Sequence, residues 1–126
     1  MGASEAGRRG ENLAATYLEG LGLVVMERNY RFERGEIDLV CFEPASPHSP
    51  NGTIVFVEVK ARSTDRFGSP EEAVSATKRR HVTRVAEAFL YEHRLDGAPC
   101  RFDVVSVRLG GQNPVIRHIK HAFMAA

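Results

Sequence analysis

Residues 53–61 read TIVFVEVKA, and the predicted fold is built around them. Its β-branched and aromatic side chains predict a strand, and both faces of that strand are apolar except at Glu58 and Lys60. A strand that is apolar on both faces is typical of the middle of a sheet that helices cover on both sides. We therefore predict an α/β protein with this strand at its centre.

The segment before this strand predicts one helix and two strands. We expect the helix over residues 4–21, where Ser4 can cap the first turn and the apolar side chains fall on one face. Residues 23–32 and 35–42 read as two strands of a hairpin. Three prolines make residues 43–52 a loop.

The segment after the central strand adds helical structure and two more strands. A capping-box pattern at residues 69–72 opens a helical region, and after a break near Ala76 a longer helix is expected to end near residues 96–97. Residues 101–109 and 114–122 predict the last two strands. The predicted order is α-β-β-β-α-β-β, a mixed sheet flanked by helices.

Length and composition indicate an ordinary globular protein of one domain, residues 1–126. The sequence has no run of ~18 apolar residues that would span a membrane, and its polar start lacks a signal peptide's apolar segment, so we expect a cytoplasmic protein. Cys41 and Cys100 have no CxxC spacing and are expected to be buried free thiols. The net charge of +1 does not by itself indicate a nucleic-acid-binding protein, so any surface that binds nucleic acid must be a local basic patch.

Charged side chains in the apolar strands are candidates for a metal-binding catalytic site. Glu58 and Lys60 share one face of the central strand, and Asp38 sits between apolar residues of the preceding strand. If the two strands pair, Asp38 and Glu58 converge. Two such carboxylates can hold a divalent cation such as Mg²⁺, and Lys60 can hold the attacking hydroxide or stabilise the phosphorane. The alternative is a structural ion-pair network, which predicts no metal binding.

The sequence also resembles a known group of nucleases. Asp38 followed by Glu58-Val59-Lys60 resembles the PD-(D/E)xK signature of restriction-endonuclease-like enzymes. A closer resemblance, to the bacterial YraN family, covers nearly the whole chain. The residues that carry it are 29–31, 35–40, 56–62, 67–68, 73–74, 101–105 and 118–123. That family is similar in fold to archaeal Holliday-junction resolvases.

The resemblance implies a restriction-endonuclease-like sheet and a metal-dependent endonuclease that hydrolyses DNA phosphodiester bonds, with branched or otherwise structured DNA as a candidate substrate. Mg²⁺ or Mn²⁺ would be the cofactor. Asp38, Glu58 and the carbonyl of Val59 would ligate the metal, Lys60 would act on hydroxide and the transition state, and Glu11 would complete the outer shell. A homodimer is compatible with this, because a junction offers two symmetric cuts. The alternative is a non-catalytic nucleic-acid-binding adaptor with the same fold.

Basic side chains form a local cluster at the start of the long helix and just after the central strand. A helix start with basic side chains suits phosphate contact, and a solvated helix face is the alternative. We expect Glu36 to face the other way from Asp38 or outward, and His118 and His121 to be surface or packing residues. The candidate nucleic-acid-binding residues are Arg62, Lys78, Arg79, Arg80 and Arg84.

Overall fold

The computed structural model describes residues 4–47, 49–62 and 74–125. Its elements are α1 (Glu5–Gly20), β1 (Val24–Phe32), β2 (Gly35–Glu43), β3 (Thr53–Arg62), α2 (Ala76–Glu92), β4 (Cys100–Arg108) and β5 (Val115–Phe123). The predicted α/β class and the order α-β-β-β-α-β-β are both confirmed. Within the described ranges, no helix is long and apolar enough to cross a membrane.

The five strands form one mixed sheet in the order β1-β2-β3-β4-β5. The pairs β1–β2, β2–β3 and β4–β5 are antiparallel, whereas β3 and β4 are parallel because α2 connects them. One apolar cluster packs α1 against one face of the sheet, and a second packs α2 against the other. β3 therefore lies at the centre and is buried on both faces, as its sequence predicted.

Serine caps position both helices. Ser4 Oγ accepts a hydrogen bond from the amide of Gly7, and Ser75 Oγ accepts one from the amide of Lys78. The predicted end of the long helix near residues 96–97 is wrong, because α2 stops at Glu92 and the backbone then turns through Arg94 at φ 57°. The capping box predicted at residues 69–72 lies outside the described residues.

The two cysteines are both free, but they differ in exposure. Cys41 lies in the α1-side cluster and is buried, as expected. Cys100 is exposed, so the prediction of a buried thiol is wrong there. Cys100 is the first residue of β4, where the strand has only begun to enter the core.

Candidate active site

The site begins where β2 separates from β3. The two strands pair regularly from Glu43–Thr53 up to Leu39–Val57. At the next position the Asp38 side chain takes the place of a ladder partner, because its Oδ2 accepts a hydrogen bond of 2.8 Å from the amide of Val59. Ile37 then packs on the α2 side although Leu39 packs on the α1 side, so the two-residue alternation breaks at Asp38.

Asp38 lies in an environment that disfavours its charge. Burial raises the pKa of Asp38 to about 7, and the negative charge of Glu58 contributes to the same shift. The hydrogen bond from Val59 N–H and the Lys78 ammonium act in the opposite direction. Asp38 and Glu58 are therefore near enough to interact, and a cation beside them would favour the ionised form of Asp38.

Glu58 is the most buried carboxylate of this group, with 8% of its side chain exposed. Its Oε2 lies 3.4 Å from Lys60 Nζ and 3.3 Å from Lys78 Nζ. One carboxylate oxygen thus has two ammonium partners, one from β3 and one from the first turn of α2. The structure brings Asp38, Glu58 and Lys60 together on adjacent strands. It adds Lys78, a member of the basic cluster that the sequence predicts to contact phosphates.

A cleft of about 810 Å³ opens above Asp38, between α1 and the ends of β1, β2 and β3. Val59, Lys60 and Arg62 line it from β3, and Glu11 lines it from α1. The Glu11 carboxylate accepts a hydrogen bond of 3.1 Å from Asn29 Nδ2.

Asn29 is placed for this contact by the backbone of β1. It lies opposite Asp38, between the paired positions Arg28–Leu39 and Tyr30–Ile37, and it has a left-handed φ of 53°. The Arg28 guanidinium lies 3.9 Å from the same Glu11 carboxylate. The irregular residue of β1 therefore faces the irregular residue of β2, and it holds the acidic side chain of α1 over the cleft.

The arginines of the predicted basic cluster divide between two surfaces. Arg62 lines the cleft, whereas Arg79, Arg80 and Arg84 do not. Arg84 pairs with Glu33 at 2.8 Å. Arg80 donates a hydrogen bond to a hydroxyl of its own helix, and the Arg79 guanidinium lies 5.6 Å from an aromatic ring centroid of β5.

Other arginines line the cleft instead. Arg8 of α1 and Arg28 and Arg31 of β1 lie around the same opening as Arg62. Glu36 lines it as well, where it is partly exposed and pairs with Arg31 at 3.2 Å, so it faces outward into the same cleft as Asp38 rather than the other way. The rim of the cleft therefore carries four arginines around the carboxylates of its floor and wall.

A second polar cluster, which sequence reasoning missed, lies between β4 and β5. Asp103 is fully buried, and it accepts hydrogen bonds from Arg101 Nε at 3.0 Å and from the amide of His121 at 3.1 Å. His118 Nε2 lies 2.8 Å from the same carboxylate, and Arg101 also pairs with Glu43 at 2.7 Å. Burial alone would raise the pKa of Asp103, but these hydrogen bonds outweigh it and hold the pKa below its usual value.

The Asp103 cluster joins the two strands where their register shifts. His118 is thus a packing residue with a specific partner rather than a surface residue. The signal in the sequence was the one that marked Glu58, namely a carboxylate inside an apolar strand.

The ligand set at the site suits a hard divalent cation. Among the described residues, no group of three or more His, Cys, Asp or Glu side chains is arranged to hold an ion. Mg²⁺ commonly takes only one or two protein carboxylates and completes its shell with waters and substrate phosphate oxygens. Asp38 and Glu58, with the neighbouring carbonyl of Val59, fit a partial set of that kind.

Comparison with known proteins places the chain among relatives of similar length. A family model described as "Uncharacterised protein family UPF0102" matches residues 10–107. A UPF0102 protein of Chlorobium chlorochromatii is 42% identical over 125 residues, which cover 94% of this chain and 91% of that protein. One of Geobacter metallireducens is 42% identical over 120 residues, with 95% and 93% covered, and one of Mycolicibacterium gilvum is 45% identical over 115 residues, with 90% and 89% covered.

Proposed function

The chain belongs to the UPF0102 family, and we propose that it is a Mg²⁺- or Mn²⁺-dependent endonuclease that hydrolyses phosphodiester bonds of DNA. One observation carries the proposal: Asp38 is held on the amide of Val59 beside the buried Glu58, with Lys60 on the same carboxylate. The resemblance of Asp38 and Glu58-Val59-Lys60 to the PD-(D/E)xK nucleases, and of the wider sequence to the YraN family, supports it.

Each group has a role that its position permits. Asp38 and Glu58, with the Val59 carbonyl, would hold the cation, which supplies a more acidic water and neutralises charge that develops at phosphorus. Lys60 places its ammonium beside the Glu58 carboxylate, where it can hold the attacking hydroxide or stabilise the phosphorane. Glu11, fixed by Asn29 at the cleft wall, would contribute to the outer shell of the cation through water.

The cleft supports a nucleic acid as the substrate. Four arginines line it, and guanidinium groups bind phosphates through bidentate hydrogen bonds. We extend the proposal to branched or otherwise structured DNA, to action as a homodimer on such DNA, and to a cytoplasmic location. Arg79, Arg80 and Arg84 would contact DNA outside the cleft, along α2.

The test is a cleavage assay over linear, single-stranded, flapped and four-way DNA and matched RNA, with Mg²⁺, Mn²⁺ or chelator. We expect metal-dependent cleavage of at least one DNA form, and a loss of roughly 100-fold or more in Lys60→Met. Lys120→Met is the matched control, because Lys120 lies on β5, within a strand that contributes no residue to the cleft lining.

Three results would contradict the proposal in different ways. Equal activity in wild type and Lys60→Met would identify a contaminating nuclease. DNA binding without metal-dependent cleavage would favour the adaptor. A wild-type protein that binds neither metal nor nucleic acid would leave the structural ion-pair network.

A further inference from the structure

Lys78 lies at the site although it comes from a different element than the other charged residues. It is in the first turn of α2, and its amide is bonded to the Ser75 cap at 3.1 Å, which fixes the start of its side chain. Its Nζ lies 3.3 Å from Glu58 Oε2. The Lys78 side chain is 40% exposed and that of Glu58 only 8%, so this lysine connects the buried carboxylate with solvent.

The two lysines at Glu58 occupy the place that a divalent cation would need. Lys60 and Lys78 bring two positive charges to a single oxygen, Oε2, which equals the charge of one divalent ion. A hard cation that binds this oxygen must displace at least one ammonium, because the ion's charge repels both. Lys78 is the more exposed of the two and has a flexible four-carbon stem, so it is the one that can leave at the lower free-energy cost.

We infer that Lys78 is a further residue of this site, whose ammonium balances Glu58 until a divalent cation binds and then moves to a phosphate of the bound nucleic acid. The second half of this inference, the movement of Lys78 to a phosphate, rests on the proposed function. The first half, the balancing of Glu58, requires only that a cation competes with Lys78 for Glu58. An ammonium is a compact point charge that binds phosphate oxygens without a fixed geometry, so it can exchange one oxyanion partner for another.

The experiment compares Mn²⁺ binding to the wild type, Lys78→Met, Lys78→Arg and Lys120→Met in the absence of nucleic acid. Binding is measured from the electron paramagnetic resonance signal of the Mn²⁺ that remains free. A partly exposed ion pair contributes up to ~1 kcal/mol, so Lys78→Met should bind Mn²⁺ about two- to fivefold more tightly than wild type. Lys78→Arg keeps the charge and should bind as wild type does. Lys120→Met carries the same loss of charge elsewhere and should also match wild type.

Cleavage at saturating Mn²⁺ tests the second half. There Lys78→Met should be slower than wild type although its metal site is full, and Lys78→Arg should recover part of the rate. A metal affinity in Lys78→Met that equals or falls below the wild-type value would overturn the inference. So would an unchanged cleavage rate.

Failure of the inference differs from failure of the proposed function. If wild type cleaves DNA but Lys78→Met binds Mn²⁺ equally well, only the role of Lys78 is refuted. If wild type cleaves nothing and Lys78→Met still binds Mn²⁺ more tightly, the nuclease is refuted together with the phosphate step, and the competition at Glu58 stands. Wild type that binds no Mn²⁺ refutes both.

Discussion

Asp38→Asn should make the metal-free protein more stable at alkaline pH. The folded protein binds the Asp38 proton more tightly than the unfolded chain does, because burial and the charge of Glu58 raise its pKa. The contribution of Asp38 to folding stability must therefore fall as pH rises from about 4 through 7, since the folded state has to carry an unfavourable charge. Asparagine has no proton to lose, and its Oδ1 can still accept the hydrogen bond from Val59.

The size of the effect follows from the pKa. The pKa of Asp38 rises from an ordinary value of 3.8 to about 7. Each pKa unit is worth ~1.4 kcal/mol, so the destabilisation by the charged Asp38 has an upper value of about 4 kcal/mol. Asp38 lines an open cleft, so water screens part of this and we expect about 2 kcal/mol at pH 8. For a protein of this length that is a rise of roughly 8 °C in Tm.

The assay is a set of thermal melts of wild type and Asp38→Asn from pH 4 to pH 9 with a chelator present. The Tm difference should be small near pH 4, grow through pH 5–7 and level off above pH 8. All other titrating groups are common to both proteins, so the difference reports the Asp38 charge together with its interaction with Glu58. A variant less stable than wild type at pH 8, or a Tm difference independent of pH, would refute the assignment of an unfavourable charge to Asp38.

Three further substitutions test the rest of the framework. Glu58→Gln should lower the free energy of unfolding by about 1–3 kcal/mol, because two ammoniums lose their counter-charge; urea unfolding that shows no loss would argue against both ion pairs. Asp103→Asn should cost about 3 kcal/mol at pH 7, and the deficit should shrink in acid as the wild-type carboxylate becomes protonated; a pH-independent deficit in denaturant titrations would contradict this. Gly10→Ala would place a Cβ 2.6 Å from that of Ala61, so α1 must shift. We expect thermal melting to show a loss of about 1–3 kcal/mol in the free energy of unfolding, and an unchanged Tm would show that the helix can shift without cost.

Much of the fold could be predicted because it depends on short stretches of sequence. The apolar run of residues 53–61 predicted the central strand, and Ser4 predicted the start of α1 to the residue. The end of α2 was missed, since the helix stops where the chain turns through left-handed Arg94 rather than at the more visible Gly97. A left-handed residue other than glycine leaves little trace in a single sequence.

The candidate site was predictable in part for the same reason. Asp38, Glu58 and Lys60 could be found because charges are rare in apolar strands, and they come together because β2 pairs with β3. The strict two-residue alternation did not hold at Asp38, because the strand separates from its neighbour there and the side chain replaces a backbone partner.

Local patterns in the sequence were enough to identify the set of elements, their order and the three charged residues in the apolar strands. The folded structure was needed to show that Lys78 reaches Glu58, that Asn29 holds Glu11 and that His118 reaches Asp103. The physical reason is one of range. Backbone preference and side-chain alternation act over a few residues, whereas these contacts join residues that are 20, 18 and 15 positions apart and come close only after the strands have paired and the helices have packed on the sheet.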